Sequence, residues 1–411
     1  MPALNNPSDP YSDEYGKNVL LSELVNYWLR EKIAPDGLVV LLSKTAAPYE
    51  AGFRIYRVDS SLGLTTEYDS DVRSAVTTAF PGCSPIRVAI PPKSRDIITI
   101  TGAGSDRIAV HRYGIDRSLS LLQDKNGYGV PTFMNFNENG TDAYITNTVA
   151  SPNVVSRLIR DSTSGGFTVN NGTNYPFGIG CAPVSLRISS KDDIVFAVNA
   201  SLSPIGINVF KNTGSNSGIV VSGSPFGTAD NPSQHNNLCL SESNKLIYMT
   251  SNNATNPIYG YRYDSNGNMT ILPSSPFSPD SGYSSGASSN DNFSTSMAID
   301  PNGKYLAHLY QVGGTYFIRL LSIDVTSGNL TQTDQKLSVG NAPKMMEWDG
   351  SGRFIYLVSD TGGTTNNYQL EYFNFSADGK LVRGVNSPIT VSPMTNGYSP
   401  RHVKAIQRYY Q

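Results

Sequence analysis

Pro183-Val-Ser-Leu-Arg-Ile188, then Ser189-Ser-Lys-Asp-Asp193, then Ile194-Val-Phe-Ala-Val198 reads as a strand, a polar turn and a second strand. The phrase returns as Ser294-Thr-Ser-Met-Ala-Ile299, Asp300-Pro-Asn-Gly-Lys304, Tyr305-Leu-Ala-His-Leu309. It returns again as Pro343-Lys-Met-Met-Glu-Trp348, Asp349-Gly-Ser-Gly-Arg353, Phe354-Ile-Tyr-Leu-Val358. Further copies start at Pro85, Pro131, His235 and Pro400, so that seven starts are spaced by 46 to 59 residues. A fixed internal period of this size marks a repeat architecture. The fourth and sixth positions of every copy are apolar: Val88/Ile90, Met134/Phe136, Leu186/Ile188, Leu238/Leu240, Met297/Ile299, Met346/Trp348 and Val403/Ala405. That alternation of period two is the mark of a strand with a packed face.

Most units continue into two more strands joined by a tight turn. Phe317–Asp324 runs into Val325-Thr-Ser-Gly-Asn329 and Leu330, and Gln369–Phe375 runs into Ser376-Ala-Asp-Gly379 and Lys380-Leu381. The Asp-Gly and Ser-Gly-Asn steps supply the positive φ that such hairpins need. Four short strands in some 40–50 residues make one propeller blade. The copy at Pro400-Arg-His-Val-Lys-Ala-Ile406 offers a first strand only, whereas Gly37-Leu-Val-Val-Leu-Leu-Ser43 begins abruptly with a second-strand pattern. Phe53–Val58 and Gly63–Thr66 supply strands three and four of that unit. The expected fold is therefore all-β, a seven-bladed β-propeller over 37–411 closed by the C-terminal strand 400–407 pairing with the N-terminal strands.

Several phrases resemble a known family. Gly223-Ser-Pro-Phe226, Ser275-Pro-Phe277, Met297-Ala-Ile-Asp-Pro-Asn-Gly-Lys-Tyr305 and Ile323-Asp-Val-Thr-Ser-Gly-Asn-Leu-Thr331 are similar to the blade consensus of lactonase-type propellers. This family includes cycloisomerase-type 6-phosphogluconolactonases and the surface-layer-like YVTN propellers, and the resemblance covers roughly residues 37–407. It implies the fold directly; the consensus records strand packing and turns rather than a site.

A site on such a ring would sit at the central channel, lined by first strands and the loops before them. The candidates are Arg87, Asn135, Arg187, His235, Asn237, Glu347, Arg401, His402 and Lys404. The resemblance points to Pro400-Arg-His402, which matches a Gly/Ser-Pro-Arg-His phrase opening a family blade. Lactone hydrolysis would assign Arg401 and His402 to hold an anionic substrate and Glu347 to polarise water. Family enzymes carry further His and Glu residues on neighbouring inner strands, where this chain has Asn135, Cys239 and Ala298. His111 and His308 fall on other strands, as expected of structural imidazoles.

Composition excludes other classes. Net charge is −2, with 38% hydrophobic and 16% charged residues. Lys and Arg are scattered singly, so there is no basic stripe for nucleic acid. No apolar run is long enough to cross a bilayer, and Met1-Pro-Ala-Leu-Asn-Asn-Pro7 does not have the pattern of a secretory signal. Cys83, Cys181 and Cys239 form neither a metal-ligand spacing nor an even disulfide set. Gly102-Ala-Gly-Ser105 leads into a strand rather than a phosphate-binding helix, and Asp300-Pro-Asn-Gly303 and Asp349-Gly-Ser-Gly352 fit hairpin turns better than a calcium loop. No cofactor or metal is expected.

Residues 1–36 lie outside the repeat. Asn18–Ile33 has helical spacing, with Leu21, Leu24, Val25, Trp28 and Leu29 on one stripe and Pro35 and Gly37 ending it. This arm would either pack on the ring's own rim or dock another protein. The loop Pro279–Asn292, which contains Tyr283, suits a solvated linker or protein and glycan recognition. The resulting functional expectation is a non-enzymatic structural or binding propeller in a larger assembly, with a bacteriophage virion protein of the tail or head surface as its specific form. The alternatives are a lactonase-like hydrolase of sugar lactones and a surface adhesin or glycan-binding module. Partners would be structural proteins of the assembly, contacted through residues 1–36 and the inter-blade loops. The expected location is a virion or otherwise the cytoplasm.

Overall fold

In the computed structural model the seven repeat units form seven separate antiparallel sheets. The described residues are 37–44, 51–59, 63–68, 84–103, 107–114, 118–125, 127–128, 131–147, 154–176, 183–191, 193–199, 206–212, 218–227, 235–251, 258–277, 283–285, 297–340, 343–360, 368–376, 378–391 and 398–406. They contain strands and turns and no helix. The amphipathic stretch with Leu21, Leu24, Val25, Trp28 and Leu29 lies outside them.

Blades 1 to 6 open with Ser84–Ala89, Pro131–Phe136, Pro183–Ser189, His235–Ser241, Met297–Ile299 and Pro343–Trp348. Each of these pairs with the strand that follows it in sequence. Blade 7 is composite. Its innermost strand, Tyr398–Ile406, pairs antiparallel with Gly37–Lys44, setting Val403 opposite Val40 and Lys404 opposite Val39. Ala51–Asp59 and Gly63–Tyr68 complete the sheet. The chain is a seven-bladed β-propeller whose ring is zipped shut by its two ends.

The core is divided. Seven clusters of buried apolar side chains occur among the described residues, one at each junction between neighbouring blades. Successive residues of a strand point to opposite faces, so a blade flanked on both sides needs a nearly continuous apolar strand. Gly37-Leu-Val-Val-Leu-Leu42 illustrates this: Leu38 and Val40 pack toward blade 6, and Val39 and Leu41 toward blade 1.

The family-like phrases have local structural tasks. Asp300 accepts hydrogen bonds at Oδ1 from the backbone N–H groups of Lys304 (2.6 Å) and Tyr305 (2.7 Å), closing the turn between strands one and two. Asp349 does the same for Phe354 at 3.1 Å and Arg353 at 3.2 Å. Gly303 and Gly352 supply φ values of 68° and 74°. In Gly223-Ser-Pro-Phe226 the Ser224 hydroxyl accepts from Val209 N–H at 2.9 Å, and Phe226 forms a bridge with Ile207. Ser275 repeats this toward Gly260 at 3.0 Å, and Phe277 toward Ile258. The fourth strands Gly218–Val220 and Met269–Ile271 have only three residues each, and the Ser-Pro-Phe step continues their cover of strand three.

Tyr283 is not in a free loop. Tyr283–Ser285 is a strand that pairs with Tyr310–Val312 of blade 5. The hairpin there is longer than its counterparts, turning at Gly313-Gly314 with φ of 57° and 84°. Its innermost strand, Met297–Ile299, covers only Leu306–His308. The remaining edge would be unpaired, and the Tyr283 segment pairs with it.

His111 is a fully buried imidazole at the junction of blades 7 and 1, edge-on to Phe53 with ring centroids 5.4 Å apart. Burial lowers its pKa to about 4. The unfolded chain therefore takes up a proton between about pH 6.5 and 4 that the folded ring refuses, and stability falls as pH drops through that window. The loss is about 3 kcal/mol for this side chain. Urea unfolding at pH 7 and pH 4.5 should show a smaller acid loss in His111→Leu than in the parent chain.

Candidate functional site

The innermost strands surround an axial cavity of about 350 Å³. Third and fifth positions of the repeated phrase line it: Arg87, Phe133, Met345 and His402 from the third, Ala89, Asn135, Arg187, Cys239, Ala298, Glu347 and Lys404 from the fifth. Fourth-position side chains Met134, Met297 and Met346 also contribute. Alternation puts the third and fifth positions on one face of the strand and the fourth on the other, and residues of both faces contribute to the blade junctions as well as to the cavity.

Charge is unevenly spread around this wall. Arg87 of blade 1 lies over the ring of Phe133 in blade 2, its guanidinium carbon 4.4 Å from the centroid. Arg187 of blade 3 reaches the same ring from the other neighbour, at 5.3 Å. Such contacts contribute roughly 0.5–2 kcal/mol each. Burial and, secondarily, the charge of Arg187 pull the pKa of Arg87 down. Burial lowers Arg187 as well, opposed by Cys239 and Glu347. Arg187 also donates to the carbonyl of Leu186 at 2.8 Å.

Glu347 is the one carboxylate among the described lining residues. It accepts a 2.8 Å ion pair from Lys404 Nζ. Burial raises its pKa, and Lys404 works against that rise. His402 is almost completely buried, and its Nδ1 finds no hydrogen-bond partner among the described residues. Burial, then Arg87 and Lys404, push its pKa well below the ordinary imidazole value, so it is neutral at pH 7 and a weak proton acceptor. Cys239 donates its thiol to the Met297 carbonyl at 3.2 Å, and burial raises its pKa to about 11. It is an unreactive thiol in that state.

The sequence candidates divide accordingly. Arg87, Asn135, Arg187, Glu347, His402 and Lys404 come together at the cavity. Asn237 is buried and donates to the Met297 carbonyl at 3.0 Å, a structural role. Arg401 lies where the register shifts between Leu41 and Leu42, opposite neither, and its side chain and that of His235 are outside the described residues. Phe133 and Met345 are among the lining residues that sequence reasoning passed over, and Cys239 entered it only as a departure from the family pattern. Phe133 holds the same third position as Arg87 and His402, which is the signal that could have found it. Among the described residues no group of three or more His, Cys, Asp or Glu is placed to hold a metal. No helix among them is long and apolar enough to cross a membrane.

No protein-family model matches the chain, and no curated protein matches it. Solved structures do. A provisionally assigned 6-phosphogluconolactonase from Bacteroides fragilis superposes with a TM-score of 0.65 at 16% identity, covering 90% of this chain and 98% of that one. A second such protein, from Bacteroides uniformis, gives 0.67 at 15% identity over 90% and 99%. A periplasmic gluconolactonase from Pseudomonas aeruginosa gives 0.63 at 17% identity, again over 90% and 99%. The chain has the seven-bladed fold of these lactonase-like propellers.

Proposed function

We propose that this chain is a binding propeller that takes a small anion into its axial cavity. One observation carries the reading: Arg87 and Arg187 converge on Phe133 in a wall where Arg87, Arg187 and Lys404 face Glu347 alone among the described carboxylates. Like charges gathered in a desolvated space cost free energy that a bound anion offsets. Guanidinium groups also match the planar or tetrahedral head of a carboxylate or phosphate.

The test is thermal unfolding of the full chain in a series of sodium salts at constant ionic strength. At least one of phosphate, gluconate or benzoate should raise Tm in proportion to the logarithm of its concentration. Arg87→Met and Arg187→Met should each remove that response. The same melting curves without added salt check that both variants remain folded. A parent chain indifferent to every anion would sink the reading.

A second reading, hydrolysis of a sugar lactone, draws on the lactonase-like fold. His402 is the imidazole of the cavity wall, and burial with Arg87 and Lys404 beside it makes it a weak proton acceptor. The names of the structural neighbours make gluconolactone the first substrate to try. The expected result is acid release at the spontaneous rate. Release well above it, lost in His402→Ala and Arg401→Ala, would make hydrolysis the function.

A role within a larger assembly, of which a virion is one form, draws on residues 1–36 of the sequence. The alternative of a surface adhesin draws instead on the segment around Tyr283. Deleting residues 1–36 is expected to leave a folded ring and to abolish assembly. If the shortened chain still assembles, the arm has a purely local role.

A further inference from the structure

Most of the cavity wall is apolar, and its charges are few. Arg87 of blade 1, Arg187 of blade 3 and Lys404 of blade 7 are its cations, while blades 4 to 6 supply Leu240, Met297, Ala298, Met345 and Met346 beside Glu347. Neutral hydrogen-bonding side chains are few. Asn135 accepts from Phe136 N–H at 2.8 Å and donates toward the Leu186 carbonyl at 3.5 Å. The Cys239 thiol is held by the Met297 carbonyl, and Glu347 is held by Lys404. His402 Nδ1 and Trp348 Nε1 have no hydrogen-bond partner among the described residues, and both atoms are buried behind the wall.

Resting on the anion-binding reading, we infer that the ligand is an amphipathic carboxylate, an aryl or short alkyl acid, rather than a polyhydroxylated sugar acid. Its head would meet Arg87 and Arg187, and its apolar body would lie on the methionine side. A sugar acid carries a hydroxyl on nearly every carbon, and each one buried without a partner is penalised by its lost hydration. A phenyl ring or short chain needs no partner. It gains with every patch of apolar surface removed from water. Methionine suits such a body, being unbranched and polarisable enough to fit ligands of different outline.

The experiment is calorimetric titration of the full chain with benzoate, hexanoate, D-gluconate and inorganic phosphate at one ionic strength. The same titrations are run on Arg87→Met and Met345→Gln, with thermal unfolding to verify that each variant is folded. Benzoate or hexanoate should bind at least tenfold more tightly than gluconate. Met345→Gln, which puts an amide on the apolar side at nearly constant volume, should shrink that preference while leaving phosphate affinity within twofold. Arg87→Met should weaken every anion. If all anions bind alike, or gluconate binds tightest, and Arg87→Met still weakens them, the amphipathic ligand is overturned and the anion site stands. If no anion binds the parent chain, both readings fall together.

Discussion

A chain ending at Gly397 is expected to show no cooperative unfolding transition. The deleted strand supplies Val403, Ala405 and Ile406 to the junctions on both sides of blade 7. Without it Gly37–Lys44 becomes an open edge, and Leu38 and Val40 lose their cover. The loss is out of proportion to the fourteen residues removed because it opens two of the seven inter-blade clusters at once. Val403→Asp is the finer test, since Val403 is fully buried. A carboxylate placed there without a partner should cost at least about 4 kcal/mol. Calorimetry of both variants decides the matter; a truncated chain melting like the parent would mean that the ring does not depend on its zip.

Asp96→Ala should be the most damaging single polar substitution. Asp96 is fully buried and accepts from Arg112 Nε at 2.8 Å and Nη2 at 3.2 Å within blade 1. Its other contact is an ion pair with Arg160 of blade 2, whose Nη2 also donates to Ser94 Oγ at 3.0 Å. One carboxylate therefore clamps two blades. Removing it leaves the almost fully buried Arg160 beside Arg112 with their shared counter-charge gone, at a cost of about 3–5 kcal/mol. Asp96→Ala combined with Arg160→Met should recover much of that, because the penalty comes from the stranded charge rather than from the lost contact. Equal destabilisation of the single and double variants, by urea unfolding, would refute this account.

The blades were legible in the sequence because packing repeats. Apolar residues are forced by burial at the fourth and sixth positions of all seven copies, and turn geometry forces Asp-Pro-Asn-Gly303 and Asp-Gly-Ser-Gly352 in two of them. The composite blade was legible because Gly37-Leu-Val-Val-Leu-Leu42 is too apolar for any strand that is not covered on both faces. The site was only half legible. Ionisable residues at positions three and five announced themselves, whereas Phe133 and Cys239 looked like ordinary core. Residue type alone does not tell which way a half-buried aromatic or thiol faces. The strand at Tyr283 stayed hidden for a different reason. Its Ser-rich sequence has no strand preference of its own, and the pairing comes from the unusually long neighbouring hairpin.

The zipped blade also fixes when the protein can finish folding as it is made. Gly37–Lys44 leaves the ribosome long before its inner partner, because Tyr398 follows Lys44 by 354 residues. At typical rates of synthesis that interval is about 20 to 70 s. Throughout it, a strand as apolar as Leu38–Leu42 has no inner neighbour, and strands of that kind readily pair with other nascent chains. Yield in the cell should therefore depend on the speed of translation and on chaperone supply more steeply than the stability of the closed ring would suggest.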